Sequence, residues 1–176
     1  MKKILTLMAV LSSFAFSQTM FVNDIKADLV DPKTKKVVGE IYEGTPVKVI
    51  KKDGDMAVVE IAGEVVNDKE NMVALKKEPF VTFYKLNEGK ATPKAKFLVN
   101  AKKLNSDAMI AWEEIELMYY DTCSSCHAAH KSKEHLMGEW EAYILAMQTF
   151  AKINDDEKDR ILRFMQAFVK DGIVKE

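Results

Sequence analysis

Cys123-Ser124-Ser125-Cys126-His127 is the stretch on which the reading of this chain turns. A C-x-x-C-H run reads as a covalent haem attachment site. Each thiol can add to one haem vinyl group, and a two-residue spacer matches the separation of those vinyls along one porphyrin edge. The histidine that follows then falls beneath the iron. Cys123 and Cys126 are the only cysteines in the chain, so one haem c accounts for both. They are read as the attachment residues, with His127 as the proximal iron ligand. The same five residues also allow a plain disulfide, a redox-active pair or half of a zinc site. Zinc would have to draw its remaining ligands from His127, His130 and His135, and a thioredoxin-like pair wants a βαβ context that the surrounding pattern lacks.

Around this motif the pattern is helical. Ser106 or Asp107 can cap a helix with apolar positions at Ala108, Ala111, Trp112, Ile115 and Tyr119, whose aromatic residues are expected near the porphyrin. Gly138 precedes a second helix carrying Trp140, Ile144, Met147 and Phe150. Asn154 with Glu157 three residues on forms a capping box for a third helix, with Ile161, Leu162, Met165, Phe168 and Val169 as its stripe and Gly172 at its end. Residues 106–176 therefore read as an all-α haem-binding unit, and one of this size needs its haem as part of its core.

Farther upstream the texture changes. All four prolines and five of the seven glycines lie before residue 94. Turn sequences at Asp31-Pro32-Lys33-Thr34 and Glu43-Gly44-Thr45-Pro46 flank Val37 to Ile41, and Val47 and Val49 alternate with Lys48. A Lys52-Asp53-Gly54-Asp55 turn leads to Ala57, Val59 and Ile61, again at a period of two, which is a hairpin signal. Val65-Val66, Val73 to Leu75 and Phe80 to Leu86 supply further strands. Strands at this spacing predict a small, bent β-barrel over residues 18–88, and the lysine-rich residues 89–105, with Thr92-Pro93, read as a linker.

At the start of the chain, Lys2 and Lys3 precede an apolar run from Ile4 to Phe16, and Ala15-Phe16-Ser17 supplies small residues at the two positions a signal peptidase reads. Residues 1–17 are read as a signal peptide cleaved before Gln18, since the run is shorter than the roughly 20 residues of a membrane span. Haem is attached to such motifs outside the cytoplasmic membrane, so both ends of the sequence point to the periplasm. The formal charge of −1 hides an asymmetry. Residues 18–105 hold 16 basic and 13 acidic side chains, whereas residues 106–176 hold 8 and 14, a net of −6. Nucleic acid is a poor partner for that second half, and a protein with a positive patch is a better one.

If the iron carries electrons it needs a sixth ligand. On a continuing helix His130 would share a face with His127 and could not reach the far side of the same haem. His135 and Met137 follow in a loop, and Met147 lies on an apolar helix face at a distance that lets the chain cross over.

Two resemblances add to this reading. Val37 to Val66, with its Gly39-Glu40-Ile41-Tyr42-Glu43-Gly44 core, resembles a bacterial SH3-like domain, which implies docking or peptide binding. The order His127-Ala128-Ala129-His130-Lys131, Glu139-Trp140, Ala146-Met147-Gln148-Thr149-Phe150 and Asp155-Asp156-Glu157 resembles the C-terminal single-haem domain of TorC-type cytochromes. Those multihaem proteins pass electrons to periplasmic trimethylamine-N-oxide reductase. By position the resemblance implies Cys123 and Cys126 on haem c, His127 proximal and Met147 distal. It implies a molybdenum-cofactor N-oxide or S-oxide reductase as electron acceptor. The four-haem membrane-anchored domain of that family has no counterpart here, so a separate quinol-oxidising membrane cytochrome is the implied donor. The fold expected is α+β, a small SH3-like β-barrel followed by an all-α c-type cytochrome domain. The protein is expected to transfer electrons without being an enzyme itself. A haem-based sensor with a displaceable sixth ligand, or an acceptor for a periplasmic dehydrogenase, are the other readings of the same residues.

Overall fold

The computed structural model describes residues 18–78 and 81–174. The expected signal peptide, residues 1–17, lies outside them, as does Phe80 at the start of one expected strand. Among the described residues, ten strands form one sheet: β1 (Gln18–Val22), β2 (Lys26–Val30), β3 (Val37–Tyr42), β4 (Pro46–Asp53), β5 (Met56–Ala62), β6 (Glu64–Val66), β7 (Lys69–Ala74), β8 (Thr82–Leu86), β9 (Lys94–Asn100) and β10 (Leu104–Asn105). Their order across it is β10-β1-β4-β5-β9-β2-β3-β8-β7-β6, with every junction antiparallel.

The local rules that place β3 to β5 are those of the sequence. The Asp31 carboxylate accepts the backbone N–H groups of Lys33 and Thr34 at 2.9 and 2.6 Å, closing an Asx-type turn before β3. The β4–β5 hairpin closes over Gly54, with Asp53 opposite Met56. Period-two alternation then buries Ala57, Val59 and Ile61 on one face.

The expected small barrel does not form. The sheet is open, with β10 and β6 at its edges, because β1, β2, β9 and β10 extend it beyond the strands that turn residues mark. The expected linker contains β9, which pairs with β5 from Met56↔Asn100 to Ala62↔Lys94. Its lysines sit at exposed positions, and Lys94 pairs with Glu60 at 3.0 Å, while Phe97, Leu98 and Val99 are buried. A sheet with one apolar face must close on itself or be covered. Here helices cover it.

The helices are α1 (Ala108–Cys123), α2 (Glu139–Ala151) and α3 (Asp155–Phe168). Asp107 caps α1 by accepting the N–H of Met109, and Asn154 and Glu157 form the reciprocal capping box of α3. They do not make the expected all-α cytochrome domain, because they share their core with the sheet. Trp112, Ile115, Phe164 and Phe168 belong to the same buried cluster as Val22, Leu29, Ile41 and Val47 of the sheet. So few helical residues bury too little surface alone, and the sheet completes their core.

Four contacts lock the layers. Trp112 is fully buried, wedged between Phe164 and Phe168 and pressed on Gly44. Arg160 grips the buried Glu43 carboxylate with two hydrogen bonds of 3.1 and 3.0 Å and reaches Glu114 at 3.1 Å. Arg163 donates to the Glu43 carbonyl at 2.6 Å and lies over the rings of Tyr42 and Trp112. Burial pushes the Arg163 guanidinium down to about 10, against the favourable charge of Glu43. Gln166, buried in α3, accepts the N–H of Val81 and donates to the carbonyl of Met137.

Candidate haem site

The helix α1 ends at Cys123, with Ser124 as its C-terminal cap donating to the Tyr120 carbonyl. The C-x-x-C-H motif thus straddles a helix end: Cys123 is the last helical residue, half-buried, and Cys126 and His127 stand exposed beyond it. This corrects the expectation that His127 and His130 share a helix face, because residues 124–131 are not helical. Both thiols are free. Burial pushes the Cys123 thiol above its ordinary value.

These residues line one cavity of about 270 Å³ between the end of α1 and one face of α2. Tyr119, Cys123, Cys126, His127 and His130 come from one side, and Trp140, Tyr143, Ile144, Met147, Phe150 and Ala151 from the other. The α2 positions follow the helical repeat, which is why one face carries them all. Trp140 and Ile144 are buried, but Tyr143, Met147 and Phe150 are 45%, 41% and 76% exposed. Apolar surface of that extent on one helix face is what a flat apolar ligand would cover.

The His127 ring has one nitrogen committed to the backbone. Its Nδ1 lies 2.9 Å from the Ala128 carbonyl oxygen, which can only accept, so that nitrogen carries the proton. Nε2 keeps its lone pair for a metal, the arrangement that second-shell hydrogen bonds impose on ligating histidines. The Tyr119 hydroxyl donates to the His130 carbonyl at 2.7 Å, tying the loop to α1. Burial, and next the neighbouring Cys123, raise the Tyr119 phenol well above its usual range, so it stays a donor.

The other candidate sixth ligands fall elsewhere. Met137 is 3% exposed within the shared core, away from the cavity lining. His135 is outside the lining but stacks on Tyr143 at 4.0 Å between ring centroids. Trp112, expected near porphyrin, faces the sheet, while Tyr119 of the same helix faces the cavity. Sequence reasoning missed Tyr143, although its spacing of three from Trp140 and four from Met147 marks the same face.

The residues present fit a covalently bound haem: two unpaired thiols at a helix end, an imidazole with a free Nε2, and an apolar wall bearing a thioether. A larger cavity, about 610 Å³, opens beside α3 among Glu40, Glu43, Asp156, Asp159 and Arg160, and its lining includes Met72 but no thiol and no imidazole. Among the described residues, no helix is long and apolar enough to cross a membrane. Compared with protein-family models, with curated proteins and with solved structures, the chain matches none.

Proposed function

We propose that this chain is a periplasmic monohaem c-type electron carrier. In this reading Cys123 and Cys126 hold haem c through thioether bonds, His127 is the proximal ligand and Met147 the distal one. The reading rests on one observation: both thiols, His127 and Met147 line the same cavity, the first three from the end of α1 and the loop after it and Met147 from α2. Haem, when bound, supplies a one-electron ferrous–ferric couple, and methionine opposite histidine raises its potential relative to two histidines. The chain's own residues would hold it: Ala128 orients the His127 imidazole, and Tyr143 and Phe150 would supply apolar cover.

The acceptor in this proposal is a molybdenum-cofactor N-oxide or S-oxide reductase, and the donor a quinol-oxidising membrane cytochrome. The acidic excess of residues 106–176 supports docking to a positively charged partner, at a rate that salt would lower. The protein acts as a carrier, without bond-making at the haem.

Purified mature protein tests the haem first. One haem per chain should be measured as the pyridine haemochrome and should stay with the polypeptide in acidified organic solvent. Colourless protein, or pigment extracted by the solvent, overturns the proposal. Electron transfer is tested by mixing reduced protein with the oxidised reductase: oxidation that slows with added salt is expected. A ferrous form that binds carbon monoxide rapidly would instead mark a sensor with an open sixth site.

A further inference from the structure

The loop between the haem motif and α2 carries a second cluster, His130, Glu134 and His135. One potential ligand atom from each lies within 4.8 Å of the other two. His130 Nδ1 is 2.8 Å from Glu134 Oε2. Two ligands on one zinc ion, each about 2.0 Å from it, sit about 3.3 Å apart in a tetrahedron. One edge of the site is therefore already short enough, and the others must close by about 1.5 Å at most, which side-chain rotation can supply.

The ligands are held in place by contacts to α1 and α2. The His130 backbone is pinned by the Tyr119 hydroxyl from α1. Between the two histidines runs a single 3-10 turn, residues 132–134, and the Trp140 indole N–H donates to its Ser132 carbonyl at 2.9 Å. The His135 ring is stacked on Tyr143 and meets the Trp140 ring edge-on, with centroids 5.0 Å apart. Its Nε2 is buried and has no hydrogen-bond partner. A buried ring nitrogen without a partner is costly, and a metal ion is one way to satisfy it.

We propose that His130, Glu134 and His135 form a site for a first-row divalent cation, zinc in the first instance, beside the haem cavity. Two imidazoles and one carboxylate suit zinc, nickel or copper and disfavour magnesium and calcium. Three protein ligands leave a fourth position for water or a partner's side chain. His130 lines the haem cavity and His135 stacks on its wall, so a cation here adds positive charge next to the haem. The site does not depend on the haem reading, since none of its ligands is a thiol or His127.

Mature protein, with whatever haem it carries, should be dialysed against zinc chloride and measured for zinc by elemental analysis, with affinity from competition with a chromophoric chelator. One zinc per chain is expected. Glu134→Gln and His130→Ala should each weaken binding at least tenfold while leaving far-ultraviolet circular dichroism unchanged. Zinc affinity should survive in Cys123→Ala/Cys126→Ala. Zinc that is lost with the cysteines, that is unaffected by both loop variants, or that fails to bind at all at micromolar concentration overturns the proposal. Haem content, read separately from the pyridine haemochrome, distinguishes a failure of this site from a failure of the haem reading.

Discussion

Replacing Gly44 by alanine tests whether the helices and the sheet share one core. Gly44 has φ +70°, and a Cβ there would lie 2.0 Å from both Cε2 and Cζ2 of Trp112. Two costs add. Holding a non-glycine residue at positive φ costs about 1 kcal/mol. Forcing a methyl into packed atoms costs about 1–3 kcal/mol more, since Trp112 is fully buried and braced by Phe164 and Phe168. Gly54 provides the control: its φ is +62°, but a Cβ there meets nothing within 4 Å. Gly54→Ala should therefore lose only the backbone part. Urea unfolding of both variants, followed by far-ultraviolet circular dichroism and by tryptophan fluorescence, should show Gly44→Ala less stable than Gly54→Ala by about 1–3 kcal/mol, with the two probes moving together. Equal losses in the two variants would refute the packing of Trp112 on the sheet. A shift in tryptophan fluorescence alone would mean that the helices melt apart from the strands.

Further predictions follow from other contacts. Glu43→Ala removes the buried partner of Arg160, and should cost about 3 kcal/mol in the same assay because Glu114 remains as a partial substitute. Asn154→Ala breaks the α3 capping box and should cost about 1 kcal/mol. Burial pushes the Glu40 carboxyl up, but the Tyr42 hydroxyl at 2.8 Å and Lys26 at 3.1 Å outweigh it, leaving the group below its ordinary value. A depressed carboxyl stabilises the fold above its ordinary pKa, and that stabilisation is lost as pH falls toward the folded value. The stability gap between wild type and Tyr42→Phe should thus shrink from pH 7 to pH 3, and a constant gap would contradict the assignment. In the haem reading, Met147→Ala should abolish the far-red methionine-to-iron charge-transfer band and lower the reduction potential, with little change in stability because Met147 is 41% exposed.

Local signals were legible and long-range ones were not. The hairpin over Gly54, the Asp107 cap and the Asn154–Glu157 box depend on neighbours in sequence, and each stands where its residues predict. The strand β9 was hidden because Lys94 and Lys96 give it a polar appearance, and only its pairing with β5 shows that Phe97 and Val99 turn inward. In β2, Ala27 and Leu29 do alternate with Lys26 and Asp28, but five residues without a turn signal on both sides are too short to declare a strand. The open sheet follows from what covers it, and the partnership of Gly44 with Trp112 spans 68 positions of chain that no periodicity reports. At the site, the spacing of Cys123, Cys126 and His127 was plain. The end of α1 at Cys123 required the folded chain.

The sheet has a narrow seam. Strands β2 and β9 meet through one residue pair, Val30↔Leu98, so the ten strands divide into two wings of five. The first helix rests on β1 and β10 of one wing, whereas Gln166 of α3 bonds to Val81, next to β8 of the other. The helical layer is thus a clasp laid across a hinge. Tugging at the far end of α1, where Cys123 sits, would load that clasp, and the wings offer the direction in which the molecule can give.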